Sequence, residues 1–197
     1  MKFSQKEIKD LFIAWFMISI AFAILLSGGI KAFLSLSVFA VSFAVSAFTV
    51  GVSFLLHELM HKYFAQKYNL WAEFRAFYNM LWLAILFSLF GFIIAAPGAV
   101  MIKGFLTKEK NGKISLAGPM TNIILAFLFF FFLLSFDFTG ILRLFLVYGL
   151  TINSLLAVFN MIPFSPFDGH KVYIWNKTIY IIAVVVALGL FLSSFVI

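Results

Sequence analysis

The sequence predicts an all-α polytopic membrane protein, with about five full transmembrane helices and one re-entrant, partly extended membrane segment. Three observations predict it. Of the 197 residues, 64% are hydrophobic and 11% are charged, against about 25% charged in an ordinary soluble domain. Mean hydropathy is +1.14. Five apolar runs approach or reach the ~20 residues that a bilayer asks of a helix, and a sixth is interrupted by Gly91 and by Pro97-Gly98.

Residues 11–30 form the first run, after a charged start from Lys2 to Asp10. It exceeds the roughly 7–15 residues of a secretory h-region, and no A-x-A cleavage site follows, so it reads as a retained helix. Residues 34–56 form the second and continue as helix through His57 and His61. Runs at 114–136, 142–162 and 178–197 complete the five. The sixth stretch, 80–102, could cross or dip in and return. Charge decides between these. If it crosses, the 14 Lys and Arg divide seven against seven and carry no orientation signal. If it returns, only Lys31 and Arg143 lie opposite the other twelve, a strong positive-inside pattern. The expectation is therefore a re-entrant 80–102, a cytoplasmic N-terminus and five crossings. The whole of 1–197 reads as a single membrane-embedded domain with its motifs in 52–171. No separate regulatory domain is expected at this length.

The chemistry starts at His57-Glu58-Leu59-Met60-His61. Two imidazoles four residues apart leave one helical face and can share a Zn²⁺, while the glutamate between them can activate the water on that ion. From Leu34 to His57 is roughly 35 Å at 1.5 Å per residue, which puts His57 near the cytoplasmic edge of the hydrocarbon. A carboxylate at that depth costs roughly 2.5–3.5 kcal/mol, so Glu58 needs a partner. A plain helix end meeting headgroups would explain the polarity but not the histidine spacing.

Catalytic zinc takes three protein ligands and keeps a position for water. The third candidates are Asp168, His170, Glu73, Glu109 and Asp137. Asp137 falls in the opposite, external loop, and Glu73 and Glu109 lie near basic residues and read as solvated. Asp168 follows Pro163 and Pro166, which end a helix, and precedes Gly169, which permits a tight turn. His170 is the runner-up. With 80–102 re-entrant, an even number of crossings separates His61 from Asp168, so both reach the same face.

The HExxH in a transmembrane helix, Asn160-x-x-Pro163-x-x-Pro166-x-Asp168-Gly169, and Gly118-Pro119-x-x-Asn122 between them together resemble the site-2 protease family of intramembrane zinc metalloproteases. The likeness covers about 52–171. Phe167 stands where that family usually has Leu or Met, a change that keeps an apolar residue. The resemblance implies one zinc ion held by His57, His61 and Asp168. It implies Glu58 as general base and cleavage of peptide bonds in or near substrate transmembrane segments. Asn160 resembles an asparagine near the catalytic centre and could stabilise an oxyanion; bonding backbone freed by Pro163 is its equal alternative.

Other classes carry less. The chain has no cysteine, which excludes disulfides and thiolate ligands. No basic cluster interleaves with aromatics in a polar segment, so no nucleic acid is expected. The expected partners are the bilayer and membrane proteins or peptides with transmembrane segments. A catalytically silent scaffold of the same fold, or a metal transporter, are the alternatives. Asn122 and Asn153 read as interhelical glue or as support for a ligand. The extended composition of 97–102 suggests an edge that pairs with unwound substrate.

Overall fold

The computed structural model describes residues 1–94 and 96–197. The chain is an all-α polytopic membrane protein with one small sheet. Its elements are α1 (Gln5–Leu26), α2 (Leu36–Ser46), α3 (Val52–Lys67), β1 (Trp71–Ala76), α4 (Tyr78–Leu89), β2 (Gly98–Lys103), α5 (Lys108–Ser135), α6 (Gly140–Asn160), α7 (Asp168–Trp175) and α8 (Lys177–Ser193). A π-helical turn, Ala47–Gly51, joins α2 to α3 without a break. The result is one helix of 32 residues, Leu36–Lys67. Together with α1, α5 and α6 it makes four helices, among the described residues, long and apolar enough to cross a membrane. The fifth expected crossing is α8, whose 17 residues span about 26 Å, just short of a bilayer core.

Two compact units divide the chain: Met1–Leu55 with Glu73–Met101, and Leu56–Ala72 with Ile102–Ile197. In the first unit α1 packs on α2 and α4 through small side chains, with Ala14 and Ala21 fully buried. Ser4 caps α1 by accepting from the Glu7 amide at 3.1 Å. This helix starts six residues earlier than its apolar run because its acidic residues have work in the fold. Glu7 accepts from Phe74 N at 2.9 Å, and Asp10 accepts from Tyr78 Oη at 2.5 Å and more weakly from Ala76 N at 3.5 Å.

The stretch 80–102 leaves the sheet and comes back to it. Phe77 N donates to Pro97 O at 3.0 Å, closing the base of the excursion, and β2 then pairs with β1. The end of one strand meets the start of the other, so they run antiparallel. In such a ladder alternate residues point their N–H groups to opposite edges. Phe74 and Ala76 point theirs away from β2, where Glu7 and Asp10 receive them. Gly98 lies so close to Phe74 and Arg75 O that any Cβ would collide.

The second unit is a helical bundle in which α5 packs on α6 and α7, and α6 on α8. Its core is formed by Ile123, Ala126, Leu146, Leu150, Ala157, Met161, Val172, Ala183 and Ala187, among others. Gly149 admits the Phe129 ring and Gly112 admits Trp175, which brings α5 close to both neighbours. The Phe-rich stretch 127–132 turns Phe127 and Phe131 outward, as expected of a lipid-facing surface. Residues 161–167 end α6 and reverse the chain. Gly169, against the Met161 backbone where no Cβ fits, lets α7 start tight against that end.

Candidate metal centre

His57 and His61 lie on one face of α3, and Asp168 is the first residue of α7. Helical spacing puts both imidazoles over the same spot. The tight turn at Gly169 brings the carboxylate to it. Asp168 Oδ2 lies 3.0 Å from His61 Nε2 and 3.5 Å from His57 Nε2, and the two Nε2 atoms are 3.0 Å apart. Ligand atoms each about 2.0–2.2 Å from a tetrahedral ion stand roughly 3.3–3.6 Å from one another, so the triangle is close to a zinc face and a few tenths of an ångström tight on two edges. Among the described residues these three form the group of potential metal ligands.

The donor set is oriented for a metal. His57 Nδ1 lies 2.5 Å from Asn122 Oδ1, and His61 Nδ1 lies 2.8 Å from Ile114 O. Both partners are oxygens that accept, so both imidazoles donate from Nδ1 and turn Nε2 to the common point. Such outer hydrogen bonds accompany metal-binding histidines. Opposite the histidines the wall is Gly118 of α5. A Cβ there would fall against both Nε2 atoms, closer than real Cβ contacts come. The glycine keeps open the space an ion needs.

Burial alone would raise the Asp168 carboxyl, but the two imidazoles outweigh it and hold it well below the ordinary carboxylate range. It faces them as an anion. Its other oxygen, Oδ1, lies 3.4 Å from Lys171 Nζ. The start of α7 also favours negative charge.

Glu58 is buried on α3 between the histidines, about 100° around the helix from His57. Asn160 sits at the end of α6, where Nδ2 donates to Leu156 O at 2.9 Å. The other carboxylates and histidine lie elsewhere. His170 Nδ1 donates to Pro163 O at 3.2 Å. Glu73 pairs with Arg75 at 2.7 Å and Glu109 with Lys113. Asp137 is in the loop between α5 and α6. Ile114 was not legible as a site residue, because it contributes only a backbone carbonyl.

Comparison with known proteins meets this geometry. A Methanocaldococcus jannaschii protein named "Putative zinc metalloprotease" is 46% identical over 183 residues, 92% of this chain and 90% of its own length. The chain belongs to a family of zinc metalloproteases. A Bacillus subtilis protein, also named "Putative zinc metalloprotease", is 32% identical over 63% of this chain and 65% of its own length. A second M. jannaschii protein, named "Zinc metalloprotease", is 31% identical over 68% of this chain and 34% of its own. No family model matches the chain. No solved structure matches it either. The metal of this metalloprotease is zinc, and the His57–His61–Asp168 group has the donors and the room for it.

Proposed function

We propose that the chain is an intramembrane-cleaving zinc endopeptidase of the site-2 protease kind, which hydrolyses peptide bonds in or near the transmembrane segments of membrane proteins. One observation carries the reading. His57 and His61 belong to a continuous 32-residue apolar helix, and their Nδ1 partners come from a second apolar helix of 28 residues. A hydrolytic centre built on such helices meets its substrates at the bilayer.

In this reading His57, His61 and Asp168 hold one ion. Zinc held there would supply a Lewis acid for the scissile carbonyl and a more acidic water. Glu58 takes the proton of the attacking water on its carboxylate and later passes it to the nitrogen of the leaving amine. Nδ2 of Asn160 carries two hydrogens. One goes to Leu156 O, and the other can serve an oxyanion on the substrate. Lys103, Lys108, Lys110, Lys113, Lys171 and Lys177 join the N-terminal lysines on the cytoplasmic side, with the centre near that face.

The test is cleavage by the full chain in proteoliposomes, with a substrate protein carrying one transmembrane segment. Mass spectrometry should map the cut within that segment, in its cytoplasmic half, and removal of zinc by a chelator should stop it. Cuts confined to soluble loops would overturn the intramembrane reading, and cuts in the outer half would overturn the orientation.

A helical substrate must unwind before a peptide bond can reach the centre. The sheet offers unwound chain a partner. Alternation from the Phe77–Pro97 bond directs the N–H groups of Gly98, Val100 and Ile102 to the edge of β2 away from β1. The opposite edge of the sheet already has Glu7 and Asp10 on it. In the proposed mode substrate adds a strand to β2. Val100→Pro removes one outward donor and spares the bonds to β1. It should lower cleavage at least about tenfold, one lost backbone hydrogen bond and a disturbed edge, with zinc content unchanged. Wild-type rates in this variant would exclude the pairing.

A further inference from the structure

His57 begins a buried line of amides that none of the proposed chemical steps uses. Its members are Asn122 on α5 and Asn153 on α6, both fully buried. The direction of the line can be read from its far end. Gly149 O can only accept, so Asn153 presents Nδ2 to it, at 2.8 Å. That leaves Asn153 Oδ1 to accept from Asn122 Nδ2 at 3.1 Å. Asn122 then has its Oδ1 to offer His57, 2.5 Å from Nδ1. The imidazole must donate from Nδ1, which directs Nε2 to the common point.

The two histidines reach this state by different means. His61 donates to a backbone carbonyl, Ile114 O, which cannot present a donor. His57 donates to an amide. A carboxamide turned by 180° keeps its shape but exchanges acceptor for donor. Turned that way, Asn122 would ask for a bare Nδ1, and the proton would sit on Nε2, where it blocks a metal. A neighbour that opposes the turn is Asn153, whose Oδ1 accepts from Asn122 Nδ2.

We propose that Asn153 is a positioning residue for the metal centre: by orienting the Asn122 amide it selects the His57 tautomer whose Nε2 lone pair faces His61 and Asp168. The inference rests on the zinc site described above. The simpler role for Asn153 is interhelical glue between α5 and α6. The two roles differ in what happens when Asn122 no longer needs orienting.

An aspartate at 122 accepts from Nδ1 whichever way its neighbour turns. Zinc affinity is measured by chelator competition on the full chain in detergent, for wild type, Asn153→Leu, Asn122→Asp and the double variant. Asn153→Leu should weaken zinc about 10–100-fold, the usual cost of losing outer support of a ligand. Asn122→Asp sets its own reference affinity, and in that background Asn153→Leu should weaken zinc by less than about twofold, the signature of a role acting wholly through residue 122. A glue role would lower affinity equally in both backgrounds and would overturn the proposal. If Asn122→Asp does not fold, ¹⁵N-histidine NMR of zinc-free protein decides. His57 should be protonated on Nδ1 in wild type and shift toward Nε2 in Asn153→Leu, and an unchanged tautomer would overturn the proposal. Wild type that takes up no zinc would overturn the metal site with it; wild type that binds zinc beside an unaffected Asn153→Leu would overturn the relay alone.

Discussion

Glu58→Gln is expected to lower kcat for peptide hydrolysis by about 10²–10⁴-fold, the usual worth of a positioned general base. That is roughly 2.7–5.5 kcal/mol of transition-state stabilisation. Gln has the size and hydrogen-bonding reach of Glu but cannot take up a proton. Glu58 is buried on a helix between two histidines whose outer nitrogens are held by Asn122 and Ile114. The substitution therefore leaves the ligand set and its supports in place. Zinc content should stay stoichiometric, and KM should hardly move, because a group that acts in the transition state contributes little to ground-state binding. The same proteoliposome assay reads both parameters, and metal analysis of the same sample reads the third. A Glu58→Gln protein that cleaves near the wild-type rate would remove Glu58 from the role of base.

Much of this was legible in the sequence, for identifiable reasons. HExxH is legible because helical spacing alone puts His57 and His61 together. The four long helices are legible because apolar runs of that length have few other uses. Their ends were less so. α5 begins at Lys108 and not near 114, because Thr107 caps it by accepting from Lys110 N at 3.2 Å, a polar turn that hydropathy does not count. α1 begins at Gln5 because Ser4 and Glu7 form a helix-start pair, S-x-x-E. The return of 80–102 could be read from lysine and arginine counting, and the extended character of its end from Pro97-Gly98 and the residues after it. β1 went unread. Its alternation of buried Ala72 and Phe74 with more exposed neighbours is visible only once a partner strand is known.

The polar residues show the same divide. Glu7 and Asp10 look like solvated positions ahead of a membrane helix, yet both are buried and serve strand amides of β1. That contact joins residues more than sixty apart in the chain, and no local pattern announces it. Asn122 and Asn153 announce only that an amide sits at depth. Their direction, and hence the His57 tautomer, follows from Gly149 O, a backbone atom that sequence cannot point to. In an apolar setting such bonds are worth fixing, because each unsatisfied polar group costs free energy there.

Gly118→Ala is the second large effect. In a helix interior Ala ordinarily improves on Gly by about 1 kcal/mol, so propensity alone predicts a more stable protein. At position 118 the new methyl lands against Nε2 of both histidines, where the proposed ion would sit. Zinc affinity should fall by more than the roughly 10–100-fold that loss of outer support costs, since the coordination space itself is taken. Hydrolysis should disappear with it. The zinc-free protein, in which the imidazoles must shift to admit the methyl, should still fold. Chelator competition and thermal unfolding with and without zinc separate these outcomes. If Gly118→Ala binds zinc as wild type does, the ion does not sit between His57, His61 and α5. If instead the zinc-free variant fails to fold, Gly118 serves helix packing, and Gly118→Ser should then fail equally. A blocked metal site predicts a folded, zinc-poor protein from both substitutions.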